Sequence, residues 1–282
     1  MCRVCQRNNL FWKLFWRIFG DDWEGLTALY CMGCESLTSL PANGPFGLPA
    51  GLTSLDCSRC TSLTNFLELP AGLTELCCGS CTSLTSLPEL PAGLTRLDCT
   101  GCTSLTSLPE LPAGLTRLDC TGCTSLTSLP ELPAGLTRLD CSRCASLTSL
   151  PELPAGLGLL YCSGCISLTN LPDLPADLVR LACIGCTSLT SLPELPAGLG
   201  LLYCRDCTSL TNLPDLPADL ITLDCSGCTW LPYNHSFLEN ICKLKILQRI
   251  IRKALYRRYL TKRYYLKRKI TSTDLVNLIL EY

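Results

Sequence analysis

LPAGLTRLDCTGCTSLTSLPE, residues 90–110, recurs unchanged at 111–131 and with three substitutions at 132–152. Its most regular mark is a CxxC pair. Ten such pairs run from Cys31/Cys34 to Cys225/Cys228, and from Cys57 onward their first cysteines fall every 21 residues. Only the step from Cys31 to Cys57 is longer, by five residues. A fixed period of this size means stacked units, each touching its two neighbours, and a long surface rather than a closed pocket.

Within the unit, leucines stand at 94, 97, 105 and 108 and cysteines at 99 and 102. From Arg96 to Cys99 polar and apolar residues alternate, which marks a short strand with Leu97 and Cys99 inward and Arg96 and Asp98 outward. Gly101 permits a turn, and Cys102 points back to the core. Pro109 and Pro112 remove amide donors and push Leu108 and Leu111 toward extended backbone, so the return limb is expected to be extended and partly polyproline II. Stacking then aligns the strands in a parallel sheet at a spacing of about 4.8 Å. One unit alone buries too little apolar surface to offset its ordering entropy, so the stack folds as a whole.

The pattern LxxLxCxxCxxLxxLP resembles the leucine-rich repeat, with Cys102 where asparagine is usual. The short period and paired prolines are similar to the short-type repeats of secreted bacterial effectors. The Cys-rich, near-identical copies are similar to repeat proteins of large amoeba viruses. The resemblance covers residues 25–232. It implies a repeat solenoid, a curved stack with a parallel β-sheet on the concave face, an extended, polyproline-like convex side and helical caps. It implies protein binding in a general sense only, since one fold serves many partners. The asparagine column of the family bonds between coils; a thiol donates weakly, so the cysteine column is expected to pack as a small hydrophobe.

The thiols also allow other readings. CxxC-x17-CxxC, as in Cys99, Cys102, Cys120 and Cys123, has zinc spacing. Against a metal, the columns run through ten coils with nothing to pair them off, and the first cysteine holds a position that leucine takes in the family. The expectation is packing, with no metal ligands and no cofactor; a zinc or thiol protein is the competing class. Residues 10–19 are interrupted by Lys13 and Arg17, unlike a signal peptide, and no run of 18 apolar residues occurs. Free thiols in a reducing cytosol are expected, with the sequon at Asn234-His235-Ser236 unused.

Net charge is −1, but it is divided: residues 1–235 hold 11 Lys/Arg against 21 Asp/Glu, and residues 236–282 hold 12 against 3. An acidic body and a basic tail suit separate partners. On the body, outward strand positions are the candidate binding residues. Arg96, Arg117 and Arg138 form one row beside Asp98, Asp119 and Asp140. Farther along, Leu159 and Tyr161, then Arg180, Ala182 and Ile184, then Leu201 and Tyr203, are expected to form an apolar, aromatic patch fit for a protein partner. The alternatives are a self-neutralised solvated face, a patch covered by the tail, or unselected drift.

Both ends of an open stack need caps. Residues 1–24 are expected to supply one, with a helix over 10–19 (LFWKLFWRIF) whose alternative role is membrane-surface binding. Residues 233–282 are the other. Ser236 and Glu239 read as a capping box, followed by an apolar helical stripe from Phe237 to Leu255. Beyond lie cations interleaved with tyrosines. Gln248, Arg252, Arg257, Arg258, Lys262 and Arg263 are candidate contacts to nucleic acid, to a calmodulin-like protein or to an anionic membrane. Leu247-Gln248, Arg252, Arg257 and Leu260 resemble the IQ motif, though Lys253 departs from its glycine. The alternative is a solubilising cap.

Catalysis has little support. His235 is the single histidine, and no nucleophile motif or phosphate-binding glycine loop occurs. Some effectors with similar repeats carry a ubiquitin-ligase domain; here 50 residues follow the repeats and Cys242 lacks the acidic residue that follows the catalytic cysteine. The reading is a monomeric, non-catalytic binding protein of a virus or bacterium, acting in host cytosol.

Overall fold

The computed structural model describes residues 25–40 and 48–229. Each 21-residue unit makes one coil with one three-residue strand. Ten of these strands form a single parallel sheet: β1 (Ala28–Tyr30), β3 (Ser54–Asp56), β5 (Glu75–Cys77), β6 (Arg96–Asp98), β7 (Arg117–Asp119), β8 (Arg138–Asp140), β9 (Leu159–Tyr161), β10 (Arg180–Ala182), β11 (Leu201–Tyr203) and β12 (Thr222–Asp224). The remaining two, β2 (Ser39–Leu40) and β4 (Asn65–Phe66), pair with each other on the return side. Register follows the repeat, so that Leu97, Leu118 and Leu139 stand side by side, as do Arg96, Arg117 and Arg138. The extra five residues between the first two coils leave the register intact: Leu29 still faces Leu55.

The alternation expected from Arg96 to Cys99 is present. Leu97 and Cys99 are fully buried, and Arg96 and Asp98 are half-buried on the outer face. The strand stops because Gly101 sits at φ +72°, a left-handed backbone that side chains disfavour. Two tight turns follow, closed by Cys102 N–H on the Cys99 carbonyl (3.2 Å) and Leu105 N–H on the Cys102 carbonyl (3.1 Å). A third turn re-enters the next coil, with Leu115 N–H on the Pro112 carbonyl at 3.0 Å. Leu94, Leu97 and Leu105 are fully buried and Leu108 nearly so, which places a continuous leucine column down the axis.

The return limb is irregular in the coils beyond β4. Prolines explain the difference. In Asn65-Phe66-Leu67 every residue keeps its amide, whereas Leu87 is followed by Pro88, which has no N–H to donate. One bond per coil survives in most of these limbs, as from Thr106 N–H to the Thr85 carbonyl at 3.5 Å. Bonds on the strand side are shorter, as from Cys99 N–H to the Asp119 carbonyl at 2.8 Å. No helix among the described residues is long and apolar enough to cross a membrane. The expected helical caps, the capping box at Ser236, the IQ-like stretch and the tail residues Gln248, Arg252, Arg257, Arg258, Lys262 and Arg263 lie outside the described residues.

Candidate interaction surface

Because each strand has one inward leucine between two outward residues, the sheet shows two parallel columns. In the first, Arg96, Arg117 and Arg138 are adjacent, followed by Leu159, Arg180 and Leu201. The Nε–H groups of Arg96, Arg117, Arg138 and Arg180 are buried and find no acceptor among the described residues.

The second column begins as aspartates with an internal task that the sequence reading missed. Asp119 Oδ1 accepts the Thr121 amide at 3.2 Å, the Thr121 hydroxyl at 2.8 Å and the Thr100 hydroxyl of the preceding coil at 3.0 Å. Asp98 accepts the Thr100 amide at 3.1 Å, and Asp140 accepts the Ser142 amide at 3.2 Å and the Thr121 hydroxyl at 2.9 Å. These carboxylates hold the turn after the strand and tie coils together. The signal was the recurrent Asp-Cys-Thr/Ser, in which an aspartate stands two residues before the amide it accepts. Only Oδ2 meets the arginines, at 3.8 Å for Arg96–Asp98 and 3.5 Å for Arg138–Asp140. Such partly exposed pairs contribute little stability.

The patch expected from Leu159 to Tyr203 differs in composition from the expectation. It is an interleaved stack of arginines and tyrosines. Arg138 lies over the Tyr161 ring, 4.7 Å from its centroid. Arg180 sits 5.9 Å from the ring centroids of both Tyr161 and Tyr203. Its Nη1 donates to the Tyr161 hydroxyl at 3.2 Å. The register makes this arrangement: Tyr161, Ala182 and Tyr203 are side by side, and Ala182 leaves a slot between two rings. Ala182, expected to face outward as part of the patch, is only 7% exposed. Leu159 and Leu201 are half-buried on the sheet as expected. Ile184 is not on the sheet; it lies in the turn after Cys183, where its N–H meets Ser163 Oγ at 3.2 Å.

A second feature beside this stack escaped the sequence reading. Before each early strand stands a threonine whose hydroxyl bonds the carbonyl of the same threonine one coil back, from Thr53 through Thr137, at 3.0–3.1 Å. At Gly158 this ladder ends, and Val179, Gly200 and Ile221 continue the column. Val179 is 51% and Ile221 74% exposed, and a Cβ added to Gly200 would lie 3.9 Å from each side chain. The repeated segment Gly-Leu-Leu-Tyr, at 158–161 and 200–203, was the available signal: the period doubles there to 42 residues.

The cysteines form two inner columns. The second thiol of each pair does more than fill space, which corrects the expectation of a small hydrophobe. Cys102 Sγ donates to the Cys78 carbonyl at 3.1 Å and Cys123 Sγ to the Cys99 carbonyl at 3.1 Å, and the series continues to Cys228. Buried carbonyls require donors, and the thiol supplies one between coils. From Cys57 onward the first thiols of the pairs resist ionisation. At Cys99 and Cys120 the hydrogen bond with the second thiol of the next coil acts most, then burial. Cys102 and Cys144 are shifted down, chiefly by the side-chain hydrogen bond with Cys78 and Cys120. No group of three or more His, Cys, Asp or Glu that could hold a metal occurs among the described residues. Twenty described cysteines carry free thiols, but Cys34 is disulfide-bonded, which corrects the expectation of thiols throughout.

No known family profile matches the chain, and no curated protein matches it. Among solved structures it is similar to leucine-rich-repeat proteins. YopM from Yersinia enterocolitica WA-314 is 28% identical, over 79% of this chain and 56% of that one, with a TM-score of 0.44. A leucine-rich repeat protein from Eubacterium ventriosum ATCC 27560 is 16% identical, over 71% of this chain and 60% of that one, with a TM-score of 0.42. The functional domain of InlJ from Listeria monocytogenes, described as including a cysteine ladder, is 21% identical, over 68% and 64%, with a TM-score of 0.27. This chain thus spans little more than half the length of the first two.

Proposed function

We propose that the chain is a non-catalytic protein-interaction module that docks a protein partner on the outer face of its ten-stranded sheet, the face expected to be concave. The observation that carries the reading is local. Over β9–β11 the Arg/Asp columns, in which Arg96 and Arg138 pair within their own strands, give way to Leu159, Tyr161, Arg180, Leu201 and Tyr203, flanked by exposed Val179 and Ile221. Folding does not demand this change, since the leucine and cysteine columns run unbroken beneath it. Tyrosine and arginine are the residues that dominate interface energetics, and pre-stacked rings lose little entropy on binding. Arg96, Arg117 and Arg138 extend the surface toward the first coils, with Asp98, Asp119 and Asp140 presenting Oδ2 only.

The large number of free buried thiols supports action in a reducing compartment such as host cytosol, in keeping with the viral or bacterial effector-type repeats the sequence resembles. The test begins with binders selected from a displayed library of random peptides against the full chain. Tyr161→Ala with Tyr203→Ala is expected to abolish binding of those that use the sheet face, at about 2 kcal/mol or more per ring. The far-ultraviolet circular dichroism should stay unchanged, because both rings lie outside the core. Affinity unaltered by the double substitution in every binder rules the docking surface out.

A further inference from the structure

Arg180 differs from the other arginines of its column in its counter-charge. Arg96, Arg117 and Arg138 are each followed two residues later by an aspartate on the same strand; Arg180 is followed by Ala182. The ion pairs of the described residues are Arg96–Asp98, Arg138–Asp140 and Arg205–Asp206, so no carboxylate there pairs with Arg180. The nearest aspartates of the second column, Asp140 and Asp224, each stand two strands from Ala182, about 10 Å away, with a tyrosine between.

The guanidinium is also held in place. Its two flanks lie toward the Tyr161 and Tyr203 rings, and Nη1 is oriented by the Tyr161 hydroxyl. Nε is buried with no acceptor. A half-buried cation, fixed in orientation and without a carboxylate of its own, is arranged to receive an anion on its Nη1/Nη2 edge, since Nε is buried. A carboxylate matches that edge, because its two oxygens align with two parallel N–H groups. The surroundings identify its source. Leu159 and Leu201 border Arg180 on either side in its own column, with exposed Val179 and Ile221 beyond. Apolar shoulders around one cation fit one acidic side chain set among apolar residues. A polyphosphate chain fits poorly, since residues 1–235 hold 21 acidic against 11 basic residues.

We infer that the Tyr161–Arg180–Tyr203 clamp is the specificity site of the surface and takes a single Asp or Glu side chain of a protein partner, presented between apolar residues. The inference rests on the docking reading above and adds the chemistry of what docks. Ala182 is then the selecting residue: with aspartate there, as at 98 and 140, the chain would neutralise its own arginine.

The experiment uses the peptides selected on the full chain, taking those that lose binding with Tyr161→Ala/Tyr203→Ala. They are expected to share an Asp or Glu flanked by apolar residues. Replacing that residue by Gln or Asn should weaken binding about tenfold or more, the usual worth of a hydrogen bond to a charged group. Ala182→Asp in the chain should weaken it by a similar factor, as should Arg180→Gln. Combining the peptide change with Ala182→Asp should add little, because both remove one interaction. Tyrosine-dependent peptides that lack an acid, or that bind Ala182→Asp and Arg180→Gln as tightly as the parent chain, overturn the clamp and leave the docking surface standing. Displacement by inorganic phosphate as effective as by a capped glutamate overturns the assignment to carboxylate. Absence of any tyrosine-dependent peptide overturns both readings.

Discussion

Consider the protein carried from neutral to alkaline pH under reducing conditions. Nine first-column thiols, at Cys57, Cys78, Cys99, Cys120, Cys141, Cys162, Cys183, Cys204 and Cys225, are shifted upward in the folded state. In the first eight the leading cause is the hydrogen bond with the second thiol of the next coil, and burial comes next. At Cys225 burial leads and pushes the thiol up to about 12. In the unfolded chain a thiol titrates at about 8.5. Below that value both states keep the proton and the stability is intact. Above it the unfolded chain releases protons that the folded chain retains, so stability falls with rising pH by about 1.4 kcal/mol per unit for each thiol. Each thiol that keeps its proton one unit above the unfolded value costs about 1.4 kcal/mol, so several acting together remove a large part of the ~5–15 kcal/mol that stabilises a typical domain. Cys60, Cys102 and Cys144 are shifted down, chiefly by side-chain hydrogen bonds with Cys31, Cys78 and Cys120, so they do not add to this loss. The solenoid should therefore lose stability steadily as pH rises above about 8.5, with first-column thiolate absorbance and loss of far-ultraviolet circular dichroism rising together. Far-ultraviolet circular dichroism unchanged while the first-column thiols ionise would show ordinary thiols in an intact fold and refute the reasoning.

Two further expectations concern the coil itself. Arg143 sits at φ +60° where Gly101, Gly122 and Gly164 occupy the same turn, so Arg143→Gly should raise stability by about 1 kcal/mol; an unchanged or lower urea midpoint contradicts this. Cys123→Ala removes the thiol donor 3.1 Å from the Cys99 carbonyl and leaves a small void, at a cost of about 1–3 kcal/mol. That cost should be the same with and without a metal chelator, and a chelator that removes the difference would point to a bound metal.

Much of the coil was legible before any coordinates. The alternation in Arg-Leu-Asp-Cys marks β6, and its copies mark β7 and β8 with the same inward leucine. Gly101 marks the turn, and the return limb reads as extended because its prolines deny it a ladder. The candidate site was legible only as membership in columns. Tyr161, Arg180 and Tyr203 stood out as departures from the repeat. That an arginine would lie between the two rings depends on side-chain directions across three strands, which no single unit encodes. The aspartates were misjudged for a related reason: a carboxylate with two oxygens can hold a turn with one and face outward with the other. The thiol-to-carbonyl bonds were missed because the partner is in the preceding coil, 24 residues back.

Periodicity alone determined the architecture of this protein. When every unit has the same length and the strands stack in register, a period along the chain becomes adjacency in space, so identical positions must form columns. The tertiary structure decided what happens between columns and across coils. Which oxygen of Asp119 is occupied, which carbonyl Cys102 meets and where the Arg180 guanidinium rests all follow from distances of a few ångströms between different units. Hydrogen bonds and ring contacts are directional and short-ranged, and a one-dimensional pattern specifies neighbours without specifying angles.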